Sequence, residues 1–98
     1  MGQETARAVL PEAVRASLRE AFAAEVLERL PRIVALLDSQ TTDRETARRD
    51  VHTLASSAWV VDEPQISRLA RAVEEDLAGG PVAELVAQLM AFRAESAS

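Results

Sequence analysis

His52 is the only histidine in the 98-residue chain, and it opens the segment His52-Thr53-Leu54-Ala55-Ser56-Ser57-Ala58. A neutral imidazole keeps a nucleophilic ring nitrogen near pH 7, so a solvent-facing copy can accept and pass on a phosphoryl group. A carboxylate facing one ring nitrogen fixes the tautomer and makes the other nitrogen the better nucleophile. Glu74 is the candidate for that carboxylate, holding the Nδ1 proton and leaving Nε2 to react. Other chemistries find less support. Ser56 and Ser57 have no base or oxyanion constellation beside them, which argues against a hydrolase. One histidine without cysteine, and without a Glu-x-x-His pair, cannot build the usual metal shell, so no metal site is expected. No nucleotide-binding loop or Gly-rich phosphate cradle is present, so neither a cofactor nor self-phosphorylation is expected.

Whether His52 and Glu74 meet depends on the elements that carry them. Apolar residues recur at helical spacing almost throughout, in a composition rich in Ala, Leu, Glu and Arg, and the fold class is all-α. Pro11 suits the first position of an opening helix, after which Val14, Leu18, Phe22, Val26 and Leu30 repeat every four positions. Pro31 predicts a kink or break before Ile33, Leu36 and Leu37 resume the pattern. Ser39 to Asp43 is a polar connector, and Thr42 with Glu45 reads as a capping box for a helix over about 43–61. Its core stripe is Ala47, Val51, Leu54, Ala58 and Val61. Asp62-Glu63-Pro64-Gln65 reads as a tight turn, followed by a helix with the stripe Ile66, Leu69, Ala70, Val73 and Leu77. Gly79-Gly80-Pro81 ends that helix and starts the last, which turns Val82, Leu85, Val86 and Leu89 inward. Short connectors make consecutive helices antiparallel neighbours. The expected architecture is an antiparallel up-down four-helix bundle with a short extra N-terminal helix or helix extension. Residues 1–98 form one domain, with 1–9 and 94–98 as loose ends.

At roughly 100° per residue, His52 lies about 120° from the middle of its helix's apolar stripe, on a flank that reaches solvent. Arg48, Arg49, Ala55, Ser56 and Trp59 share that flank. If the turn centres on Glu63, His52 and Glu74 are equidistant from it in sequence, each roughly 16 Å along its axis at ~1.5 Å per residue. The two side chains then sit at one height, both beside the apolar stripes. Glu74 also belongs to the run Glu74-Glu75-Asp76, for which a solvated acidic face is the plainer explanation.

Eleven basic against sixteen acidic residues give a net charge of −5, which argues against a nucleic-acid partner, since phosphate backbones need a basic field. The absence of cysteine suits a reducing cytoplasm. No apolar stretch is long enough to span a bilayer, and Met1 to Thr5 lacks the order of a signal peptide, so neither a membrane role nor secretion is expected.

From Arg48 to Gly80 the chain resembles the central hairpin of histidine phosphotransfer (Hpt) domains, most of all that of chemotaxis-type histidine kinases. In that family a His opens a His-x-x-Lys-Gly pattern, a Gly-containing turn follows, and a Glu on the next helix hydrogen-bonds the His. Here His52 and Glu74 match in type and spacing, as does the pattern of Leu54, Ala58, Ile66, Leu69 and Val73. Ala55 stands in place of the Lys, Ser56 in place of the Gly, Trp59 where small residues are usual, and Asp62 where the turn Gly is common. The resemblance implies a phosphorelay intermediate in two-component signalling: His52 accepts a phosphoryl group and Glu74 orients it. Its partners are a histidine kinase catalytic domain and a receiver-domain aspartate. Arg48, Arg49 or Arg71 would replace the missing lysine as phosphate counter-charge, Ser56 would neighbour the phosphate, and Ala55, Ser56 and Trp59 would face the partner. The departures also fit an alternative, a bundle that only docks or dimerises.

Overall fold

The computed structural model describes residues 11–38 and 43–96. They form four helices: α1 (Glu12–Val34), α2 (Arg44–Val60), α3 (Pro64–Glu75) and α4 (Pro81–Ser96), with a 3-10 turn, Ala35–Leu37, closing α1. No strand occurs among the described residues. Each helix packs on the one before and the one after, and α4 closes the ring against α1, the α2–α3 hairpin being the most extensive pair. This is the expected up-down bundle. Among the described residues no helix is long and apolar enough to cross a membrane.

Helical periodicity accounts for the core. The α2 stripe of Ala47, Val51, Leu54, Ala58 and Val61 is buried, as are Ile66, Ala70 and Val73 of α3 and Val82, Leu85, Val86 and Leu89 of α4. Aromatic packing adds an anchor: the Phe22 and Phe92 rings meet edge to face, centroids 4.9 Å apart. The Arg19 guanidinium lies over Phe92 and donates to the Val61 carbonyl (3.1 Å) and Glu63 (3.1 Å), so α1 holds the α2–α3 turn in place.

Several expectations need correction. Pro31 lies inside an uninterrupted α1, so of the kink or break expected there the break does not occur, and the helix tightens into the 3-10 turn beyond Val34. Pro11 is the N-cap of α1 rather than its first residue. Val14 and Leu37 continue the apolar rhythm but are exposed. Residues 12–17 are all exposed, so the front of α1 is the expected helix extension, while a separate N-terminal helix would lie outside the described residues. Thr42 also lies outside them. The side chain that caps α2 is Asp43, which accepts from the Thr46 N–H (3.1 Å) and hydroxyl (2.7 Å). Those two bonds, the hydroxyl's first, hold the Asp43 carboxyl below its usual pKa. Helix α3 ends at Glu75, so Leu77 is buried from the following turn and not from the helix. Residues 94–96, expected to be loose, complete α4.

The turn between α2 and α3 sets the register of the site. Asp62 has φ of 64°, the left-handed conformation in which Gly is least strained. The Asp62 N–H donates to the Trp59 carbonyl (3.2 Å) and the Glu63 N–H to that of Ala58 (2.8 Å), the paired bonds of a Schellman cap. Pro64 then starts α3 at a position where a missing N–H costs nothing. A three-residue reversal of this kind leaves little slack between the helices it joins.

Candidate functional site

His52 projects from α2 with its side chain 65% exposed, and its Nδ1 lies 2.8 Å from Glu74 Oε2 on α3. Because an ionised carboxylate only accepts, Nδ1 carries the proton in this contact, and in the neutral ring that leaves the lone pair on Nε2. Among the described residues nothing pairs with Nε2. The ring is thus held by one edge and open at the other.

Arg48 donates through Nη1 to the Glu74 main-chain carbonyl, 2.6 Å away. α3 ends one residue later, leaving that carbonyl without a helical partner, so the guanidinium caps the helix C-terminus and steadies the backbone that carries Glu74. Sequence spacing put Arg48 on the His52 flank; the cap explains why it is held there. Arg49 and Ser56 are exposed on α2. Arg71, one turn before Glu74, lines a groove with Trp59, Pro64, Ser67 and Arg68 instead of joining the His52–Glu74 pair. Trp59 is 46% exposed.

Ala55 is the misplaced residue. Expected on the partner-facing flank, it is 2% exposed, and its carbonyl accepts from the buried Ser67 hydroxyl at 2.8 Å. It borders the apolar stripe closely enough for α3 to cover it, so it presents no side-chain surface to a partner. The position that holds a lysine in the family pattern therefore carries a core methyl group.

Sequence reasoning also missed a polar cluster on the opposite flank of α2. Asp50 is buried against α1, where Arg32 forks onto both carboxylate oxygens and Arg29 Nε approaches Oδ1 at 3.5 Å. The Arg32–Asp50 hydrogen bond is the main reason the guanidinium pKa is raised. Ser57, two turns on, donates to Glu25 (3.0 Å). A signal was available: Asp50 follows Ala47 by three and precedes Leu54 by four, which places it on the buried side.

The described residues form a four-helix bundle that presents one exposed imidazole held by a carboxylate of the next helix, and no metal-ligand cluster occurs among them. A family model for the Hpt domain matches residues 17–95, and the chain belongs to that family. It therefore has a phosphotransfer role in two-component signalling, in which Hpt domains work with receiver and kinase partners. No curated protein and no solved structure matches the chain significantly.

Proposed function

We propose that His52 is the phosphoacceptor of a phosphorelay and that Glu74 orients it. Nε2 attacks the phosphorus of a receiver's aspartyl phosphate in line; the N–P bond forms as the P–O bond breaks, and the aspartate carboxylate leaves with the electron pair. The reverse attack by a receiver carboxylate returns the phosphoryl group. When a kinase domain is the donor, the same nitrogen takes the terminal phosphoryl of ATP and ADP leaves. Throughout, Nδ1 keeps its proton, and Glu74 offsets the positive charge that develops on the ring. Arg48 keeps the Glu74 backbone in place and holds a guanidinium beside the pair, while Arg49 and Ser56 flank the space a phosphate would occupy. Both transfers draw on ATP-charged partners in the cytoplasm.

The observation that carries this reading is the 2.8 Å His52–Glu74 contact on a ring that is 65% exposed. A module that only docked would have no use for an oriented ring with an open nitrogen. Incubation with a phosphorylated receiver tests the reading. Acid-labile, base-stable phosphate on His52 is expected, and phosphate on any other residue, or none, rejects it.

A further inference from the structure

Transfer between two domains requires more contact than one ring supplies. Specific complexes bury about 800 Å² on each partner, and even weak encounters need several hundred. The surface next to His52 must therefore continue into something shaped. Trp59, Pro64, Ser67, Arg68 and Arg71 enclose a shallow groove of about 320 Å³ along the α2–α3 seam. Trp59 follows His52 by two turns on α2, and Arg71 precedes Glu74 by one turn on α3. The groove thus runs from the His52–Glu74 pair toward the helix turn, a distance of about 10 Å at 1.5 Å per residue.

Its chemistry is unlike the rest of the molecule. The chain carries a net charge of −5, yet the charged residues lining this groove are both arginines. Four arginines are engaged within the fold, Arg19 on Glu63, Arg29 and Arg32 on Asp50, and Arg48 on the Glu74 carbonyl, whereas Arg15, Arg44, Arg49 and Arg93 have no ion-pair partner among the described residues but do not line the groove. Among the described residues Arg68 and Arg71 have no ion-pair partner. Beside them stands a half-exposed indole, the side-chain type that most often anchors an interface.

Resting on the His52 assignment, we propose that this groove is the docking site of the receiver domain and sets which receiver is used. It accepts a surface element with an apolar side chain for Trp59 and carboxylates for Arg68 and Arg71, next to the phosphorylated aspartate. An element of that character meets an indole flanked by cations with matched charge, and a receiver with a basic face is turned away.

The test separates docking from chemistry. Each receiver domain of the source genome is phosphorylated and mixed with the full chain, and the one that transfers fastest is kept. Trp59→Ala and Arg68→Glu are then compared with the parent protein for transfer from that receiver and for phosphorylation by phosphoramidate. That donor passes its phosphoryl group to His52 Nε2, its own P–N bond breaking as ammonia leaves to solvent, and it is too small to use the groove. Expected is a rise in receiver KM of roughly tenfold for each variant. The phosphoramidate rate should stay within twofold, with thermal melts confirming folded protein. Receiver KM unchanged in both variants overturns the groove, as does a variant that slows kinase-driven phosphorylation while sparing receiver transfer. Loss of phosphoramidate labelling in the parent protein would instead reject His52 itself.

Discussion

Asp50 and His52 stand two residues apart on one helix, and each is paired with an opposite-type side chain from a neighbour. Their circumstances otherwise differ. Asp50 faces α1, is buried, and has both carboxylate oxygens occupied by arginines. His52 faces α3, is exposed, and has one nitrogen occupied and one open. A paired titratable group is thus no sign of chemistry by itself, because structural ion pairs look the same in sequence and in distance. What would distinguish a reactive member is an unsatisfied atom reachable from solvent, and of the two only His52 has one.

The sharpest way to break that contrast is Asp50→Ala. Removing one partner of a fully buried pair costs about 3–5 kcal/mol, and the half-exposed Arg32 can turn to water, so a loss of about 2–3 kcal/mol is expected by urea unfolding. Phosphotransfer by the folded fraction should persist. A loss below about 0.5 kcal/mol would show that Asp50 behaves as a surface residue and that the two flanks do not differ.

Glu74→Gln tests the other flank. It should leave stability nearly unchanged and slow phosphorylation of His52 by roughly ten- to a hundredfold, by analogy with the loss when the carboxylate that orients a metal-bound histidine is removed. Nitrogen-15 NMR should show the ring losing its preference for the proton on Nδ1. An unchanged tautomer and rate would return Glu74 to the solvated acidic run.

Smaller effects concern the hairpin that brings the two together. Asp62→Gly relieves a left-handed residue and should add up to about 1 kcal/mol of stability. The register it fixes should hold, so transfer should not change; a change in transfer would mean the turn does more than reverse the chain. At Asp43 the carboxyl pKa is lowered in the folded state. Its contribution to stability is therefore complete above the ordinary value of 3.8 and disappears as pH falls through the folded one. Acid melts of Asp43→Asn should show a weaker pH dependence in that window, and an identical dependence would remove Asp43 from the cap.

Much of this was legible in the sequence. The apolar stripe of α2 predicted its buried residues, and a turn centred on Glu63 predicted that His52 and Glu74 would meet. Both follow from helical periodicity, which survives tertiary packing because the core is built on it. What was not legible depended on how far a neighbour wraps around a helix. Ala55 and Asp50 border opposite edges of the same stripe, and spacing alone does not say how much of each edge α3 and α1 cover. Asp50 was further disguised by the charged run Arg48-Arg49-Asp50, since its partners come from α1. The cap of α2 was ambiguous because Thr42 and Asp43 are both good capping residues and the choice between them is local geometry.

If the open imidazole nitrogen is the atom that takes the phosphoryl group while Glu74 orients the ring and offsets its charge, His52→Gln is the most direct test. Parent and variant are incubated with phosphoramidate and with a phosphorylated receiver, and bound phosphate is assayed for acid lability. The variant should fold with stability within about 0.5 kcal/mol of the parent, as exposed substitutions usually do, and carry no acid-labile phosphate. Acid-labile phosphate persisting on the folded variant would contradict the account.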